Sequence, residues 1–291
     1  MKIVILSGKG GTGKSSITSS IASVLSKSVK LVLVDADADC PNQHILFQGK
    51  EVLRKSLSVS KVAQYTGAKG SSCTNCPEIC QFDAISIKDG NVSVDESACE
   101  GCGACVLGCP NGSFKLVPKL TGKMIVKETP HFPLVYTQLL PGETGSGRMV
   151  FEAKQEAGRI AEKRGIKHMI IDAPAGIGCP VIAAVSGCDL AIGVVEPTPA
   201  SIRNLQRALE VTEHFKIPFK VVLNKYGLSE KYENTMRDMF GEALLASIPY
   251  DEELPVLLAD GTLPLHGRGR AAEALRNLCS DIVKIVSLSN G

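Results

Sequence analysis

The chain opens on a β-branched apolar run, Lys2-Ile3-Val4-Ile5-Leu6, which stops at a glycine-rich stretch; Ser15 to Lys27 then has helical spacing. A second run, Val29-Lys30-Leu31-Val32-Leu33-Val34, is nearly continuous rather than alternating. Such runs mark strands of a parallel sheet buried on both faces. This one ends in Asp35-Ala36-Asp37-Ala38-Asp39, so polar residues gather where a strand stops. The same reading predicts strands at 168–172, 189–195 and 219–223, and helices near 150–164, 199–214 and 270–286. Strand–helix alternation with polar motifs at strand ends predicts an α/β fold with an open, doubly wound, mostly parallel sheet. The last helix carries the apolar stripe Ala274, Leu275, Leu278, Ile282, Val283 and Val286 without a basic face, which suits core packing rather than a membrane surface.

Residues 61–118 break that pattern. Gly, Ser and Cys dominate, apolar runs are short, and the turn Lys88-Asp89-Gly90-Asn91 separates two similar halves. Each half joins a cysteine cluster to a short strand, Ala84-Ile85-Ser86-Ile87 and Ser113-Phe114-Lys115-Leu116-Val117, as a short internal repeat. The expected organisation is therefore 1–60 and 119–291 as two parts of one domain, with 61–118 inserted as a small α+β unit.

Composition narrows the class. With 291 residues, 44% hydrophobic and 21% charged, the chain can bury one substantial core and a small second module. A net charge of +2 supplies no strong field, so neither nucleic acid nor a membrane is expected as a partner. The opening apolar run is too short for a signal segment, and no stretch approaches the roughly 20 apolar residues that cross a bilayer. A cytoplasmic location follows as the expectation. In a reducing compartment eleven cysteines suit metal ligation better than disulfides.

Gly8-Lys9-Gly10-Gly11-Thr12-Gly13-Lys14-Ser15 matches G-x-x-x-x-G-K-[ST] between a strand and a helix. Its backbone N–H groups would cradle phosphate oxygens, Lys14 would hold the β/γ-phosphates, and the Ser15 hydroxyl would ligate Mg²⁺, with Ser16 completing the loop. A glycine-rich turn that binds nothing is the plainer alternative. Asn224-Lys225 follows Val221-Val222-Leu223, and the Asn224 amide suits adenine recognition.

Seven of the cysteines lie between Cys73 and Cys109. Cys99-x2-Cys102-x2-Cys105-x3-Cys109-Pro110 is a complete iron–sulfur run, in which the fourth cysteine ligates the other cluster. The first half, Cys73-x2-Cys76-x3-Cys80, lacks its first cysteine, which would fall at Gly70. Cys80, Cys99, Cys102 and Cys105 thus make a full set for one [4Fe–4S] cluster. Cys73, Cys76 and Cys109 leave a second site with three ligands, for [3Fe–4S], for [4Fe–4S] with an open or non-cysteine ligand, or for nothing. Zinc is the alternative metal, although its paired spacings are usually wider. Cys188 and Cys279 read as small core hydrophobes.

These motifs together resemble the MinD/ParA/Mrp-type P-loop ATPases of the SIMIBI class with a deviant Walker A loop, here with an insert like a bacterial ferredoxin. The resemblance implies that Lys9 reaches a nucleotide across a dimer, and that Asp37 positions the attacking water. It places Asp35 and Asp172 near Mg²⁺, and Pro249 and Tyr250 beside the base. The nitrogenase iron protein of this class also carries a cluster ligand seven residues beyond its switch aspartate. Cys179 stands there, as an extra ligand or redox thiol, or else as a buried thiol. The implied function is ATP hydrolysis, slow without a partner, that couples dimer switching to electron transfer or cluster delivery. The expected partners are an identical or related ATPase chain and a redox or cluster-acceptor protein. A positioning ATPase with the insert as a docking module is one alternative, and a cluster scaffold with ATP-controlled release is another.

Overall fold

The computed structural model describes residues 1–67, 76–109 and 111–289. Strand β1 (Lys2–Ser7) is buried from Ile3 onward and leads to helix α1 (Lys14–Leu25) and strand β2 (Leu31–Asp35). After the single turn α2 (Gln43–Leu46), β3 (Lys50–Leu57) is exposed along nearly its whole length. Next come β4 (Ser60–Tyr65), α3 (Cys76–Ile79), β5 (Ile85–Lys88), β6 (Asn91–Val94), α4 (Ala104–Gly108) and β7 (Phe114–Lys119). Strands β8 (Gly122–Glu128) and β9 (Pro133–Leu139) then lead to α5 (Ser146–Arg164), β10 (His168–Ala175) and α6 (Cys179–Val185). The chain closes with β11 (Leu190–Val195), α7 (Pro199–His214), β12 (Phe219–Tyr226), α8 (Glu230–Phe240), β13 (Leu244–Pro249), α9 (Glu253–Ala259) and α10 (Arg270–Leu288).

These elements form two compact units. The first takes in residues 1–55, 124–138 and 146–291, and the second residues 56–123 and 139–145. The second unit is thus wider than the 61–118 segment read from composition, and it includes a second stretch of chain.

The first unit is built on a nine-stranded sheet in the order β13-β12-β11-β1-β10-β2-β9-β8-β3. Every pair from β13 to β9 is parallel. Ile3 and Ile5 of β1 and Leu31 and Leu33 of β2 share a core with Ile17 and Ile21 of α1 and with Leu275, Leu278 and Ile282 of α10. Val4, Leu6, Val32 and Val34, one residue out of phase, are fully buried as well. Because successive strand side chains point to opposite faces, both faces of the sheet are covered, which explains the unbroken apolar runs. In this sheet β3, β8, β9 and β13 lie outside the expected strands. β3 has no apolar run to announce it, since all but Leu57 are exposed on this edge strand.

The second unit holds two small antiparallel sheets, β4 with β7 and β5 with β6. Asp89 (φ 50°) and Gly90 (φ 74°) both adopt the left-handed conformation that a two-residue hairpin turn requires. Its buried core consists of Ala63, Cys76, Ile85, Cys105, Cys109 and Phe114, half of them cysteines.

Leu278→Ala, on the buried stripe of α10, should destabilise the first unit by about 3 kcal/mol through lost burial and a residual cavity. Denaturant unfolding followed by far-UV circular dichroism measures it.

Candidate nucleotide and cysteine sites

The first unit gathers the nucleotide motifs at the carboxyl ends of its central strands. Parallel register places Asp172 of β10 beside Ile5 of β1 and opposite Asp35 of β2, so two carboxylates face the loop that follows β1. In that loop Gly11 (φ 78°) and Gly13 (φ 89°) take left-handed backbone, and a Cβ on Gly13 would lie 2.2 Å from the Asn224 amide nitrogen. Only glycine meets both demands at residue 13. Ser15 and Ser16 then fall in the first turn of α1.

Asp172 is completely buried and fully paired. Its Oδ1 accepts from Lys14 Nζ at 2.7 Å and from Thr18 Oγ1 at 3.0 Å. Its Oδ2 accepts from Gln43 Nε2 at 2.7 Å. Asp35 is equally buried, but its partners are backbone amides: Asn42 and Gln43 donate to Oδ2 at 2.8 and 2.9 Å, and Asp37 to Oδ1 at 3.2 Å. Burial, with the charge of Asp172 adding to it, pushes the Asp35 carboxyl up to about 7. Asp37 is half-buried, accepts from the Cys40 amide at 3.2 Å, and is also raised, mainly by burial. Two buried atoms beside these groups, Thr12 Oγ1 and Gln43 Oε1, have no hydrogen-bond partner among the described residues. An unpaired polar atom in the phosphate loop, at Thr12, and another in α2, at Gln43, fit a site that takes a hydrated metal and phosphate.

Lys9 forms an ion pair with Glu196, just beyond β11. Lys225 Nζ bonds the other oxygen of Glu196 at 2.8 Å and the Gly11 carbonyl at 2.8 Å. Burial of Glu196 opposes its ionisation, yet hydrogen bonds from Lys225 and Lys9 outweigh that and hold it below the usual carboxylate range. Asn224 Nδ2 donates to the Thr12 carbonyl at 2.7 Å, so this amide braces the phosphate loop. Pro249 pairs with Tyr226 at the ends of β13 and β12, and the half-exposed Tyr250 follows. Thr18, Gln43 and Glu196 carried no sequence signal. Each lies far along the chain from its partner or inside a helix, and only the sheet order brings it in.

Cys179 is exposed at the start of α6, which removes the buried-thiol alternative. It lines a cavity of about 470 Å³ with Phe151, Lys154, Ile182 and Phe215. Cys188 and Cys279 are buried, and burial pushes their thiols up to about 11 and about 12.

In the second unit, Cys80, Cys99, Cys102 and Cys105 line one small pocket of about 20 Å³, with Ala63, Phe82, Ala84 and Ile85 among its walls. The Ala63 amide donates to Cys99 Sγ at 3.4 Å. As a donor set, four thiols suit an iron–sulfur cluster, whose irons each take one thiolate. Among the described residues no three acidic, histidine or cysteine side chains converge as they would on a single metal ion. Cys109 is buried and accepts from the Ser113 amide at 3.4 Å, which draws its thiol below the ordinary value. Cys76 is buried and disulfide-bonded, so its sulfur must be reduced before it can ligate. Cys73 and Gly70 lie outside the described residues.

A glycine-turned phosphate loop between strand and helix, facing the aspartate of the neighbouring parallel strand, defines a P-loop nucleotide-binding protein. Residues 3–265 match the CobQ/CobB/MinD/ParA nucleotide binding domain, and the chain belongs to that family. It is 34% identical to the uncharacterised protein MJ0578 of Methanocaldococcus jannaschii over 287 residues, 98% of each chain. It is also 28% identical to MJ0579 of the same organism, over 79% of this chain and 82% of that one. Septum site-determining protein MinD of Pyrococcus horikoshii, complexed with Mg-ADP, shares the fold at a TM-score of 0.61 and 18% identity, covering 99% and 97% of the chains. A stretch of 44 residues, 15% of this chain, is 46% identical to part of a ferredoxin of M. jannaschii, MJ0265, covering 26% of it. ATP and Mg²⁺ fit this family. No helix among the described residues is long and apolar enough to cross a membrane.

The raised Asp35 carboxyl has a measurable consequence. Between its unfolded value near 3.8 and its native value of about 7, the folded state binds more protons, so stability falls as pH rises across that window. Without Mg²⁺ or nucleotide, Asp35→Asn should gain stability relative to the parent protein as pH goes from 4 to 7. Urea unfolding at pH 4, 5.5 and 7 checks the sign.

Proposed function

We propose that this protein binds and hydrolyses ATP with Mg²⁺ and carries iron–sulfur clusters on its second unit, using nucleotide state to gate electron transfer or cluster delivery. The observation that carries this reading is the presence of Cys80, Cys99, Cys102 and Cys105 along the lining of one pocket, in a chain whose other unit is a P-loop site. The short ferredoxin match supports it.

Lys14 leaves Asp172 for the β/γ-phosphates when ATP enters the loop, and Asp37 orients the attacking water. Ser15, Asp172 and Asp35 would hold Mg²⁺, and the metal would supply charge neutralisation at the phosphates. Asn224, Pro249 and Tyr250 form the base side of the site. A [4Fe–4S] cluster on the four pocket thiolates supplies one-electron chemistry. Cys76 and Cys109, with Cys73, hold the second, three-cysteine site as [3Fe–4S] or [4Fe–4S]. Lys9 acts on the nucleotide of a partner chain, and its ion pair with Glu196 must open for that to happen. That MJ0578 and MJ0579 occur in one organism supports pairing with a related ATPase as well as with an identical chain.

Protein purified anaerobically should carry more than about four iron atoms per chain with matching sulfide, and Cys102→Ser should lower the iron by about half. Elemental analysis decides it, and zinc without sulfide would sink the cluster reading. Redox titration with ATP, with ADP and without nucleotide tests the coupling. Identical potentials throughout would favour a positioning ATPase with a passive insert.

Lys9→Ala and Lys14→Ala subunits are expected to be inactive alone, and mixing them tests action in trans because each lacks a different part of the composite site. Glu196→Gln frees Lys9 and should raise the ATP-dependent dimer fraction several-fold, read by light scattering, since a buried charge-assisted contact is weakened only in the free chain. A Lys9→Ala protein that dimerises and hydrolyses at the parental rate would exclude the cross-dimer role.

A further inference from the structure

Gln43 is completely buried at the start of α2, and all of its polar groups but one are engaged. Nε2 donates to Asp172 Oδ2 at 2.7 Å and to the Ser15 carbonyl at 3.0 Å. Both partners can only accept, so the amide orientation is fixed by its network rather than free to flip. The backbone N–H of Gln43 donates to Asp35 Oδ2 at 2.9 Å. The remaining atom, Oε1, is buried with no partner among the described residues.

A buried amide oxygen without a donor is unfavourable, and it points to a donor that arrives with a ligand. The amide lies against Ser15 and Asp172, the residues that flank the cation position in the reading above. The nucleotide phosphates bring only acceptors to that end of the loop and cannot satisfy Oε1. A divalent cation such as Mg²⁺, which retains several of its waters, brings strongly polarised O–H donors.

We infer that Gln43 is a positioning residue for the hydrated metal of the nucleotide, its Oε1 accepting from a metal-bound water. The inference rests on the MgATP reading of this site. It assigns Gln43 a second task. The side chain senses the metal while its N–H holds Asp35, so metal occupancy is transmitted to the segment 36–42 that carries Asp37. The sensing is specific to metal-loaded nucleotide, because ATP alone supplies no donor.

The test compares ATP affinity by titration calorimetry with Mg²⁺ and with EDTA, for the parent protein, Gln43→Met and Gln43→Glu. Met keeps the shape and removes the amide. In Gln43→Met the tightening of ATP binding by Mg²⁺ should shrink about tenfold, as for one lost hydrogen bond to a charged site. Gln43→Glu sets a carboxylate beside Asp172, so it should bind metal-free ATP no better than the parent and depend more steeply on Mg²⁺. Amide exchange of residues 36–42 should slow with MgATP in the parent protein and not in Gln43→Met. An undiminished Mg²⁺ effect in Gln43→Met would overturn the inference. So would a parallel loss with and without metal, which marks a purely structural role. If Gln43→Met fails to fold, the Mg²⁺ dependence of Gln43→Glu decides, and a parental value overturns the inference. A parent protein that binds no ATP under either condition would instead overturn the nucleotide reading on which the inference stands.

Discussion

The first unit turns on one buried charge. Asp172 sits at the end of β10 with no exposure, and a carboxylate there is tolerable only when paired and hydrogen-bonded. Lys14, Thr18 and Gln43 meet that requirement from three directions, and each comes from a different register of the site: loop end, helix and switch segment. Removing one partner of such a pair typically costs about 3–5 kcal/mol, so the site is held in a definite arrangement rather than left slack. The same geometry makes the site switchable. If Lys14 moved to a phosphate, Asp172 would keep two neutral donors, Thr18 and Gln43.

A second charged knot lies at the other side of the loop. Glu196 is shared by Lys9 and Lys225, and Lys225 also holds the Gly11 carbonyl. Two cations on one buried carboxylate leave the cluster positive overall, which suits a place where polyphosphate is to arrive. The ion pair with Glu196 also fixes the position of Lys9 within its own chain.

The second unit is stabilised differently. Among the described residues its main buried cluster has six members, three of them cysteines, a small apolar core to set against the entropy of ordering the chain. Small units of this kind usually depend on a staple. Thiolates gathered on one pocket would provide it, so the same sulfur atoms would serve folding and redox chemistry.

Sequence alone determined the parts whose physics is local. Unbroken apolar runs identified the buried parallel strands, the loop glycines and Lys14 marked the phosphate loop, and close spacing grouped four cysteines that line one pocket. All of these depend on residues within a few positions of each other, where geometry follows directly from spacing. Tertiary structure alone decided the rest. The edge strand β3 has no apolar run because only one end of it is buried, so its pairing could not be read from periodicity. Gln43, Thr18 and Glu196 carry no motif, and their roles come from the order β11-β1-β10-β2, which sets residues more than a hundred positions apart within hydrogen-bonding distance. Cys179 is exposed because its helix begins at the surface, and a sequence does not record which way a single cysteine faces. Spacing fixes what neighbours along the chain can do together, while pairing across the sheet fixes which distant side chains must neutralise one another.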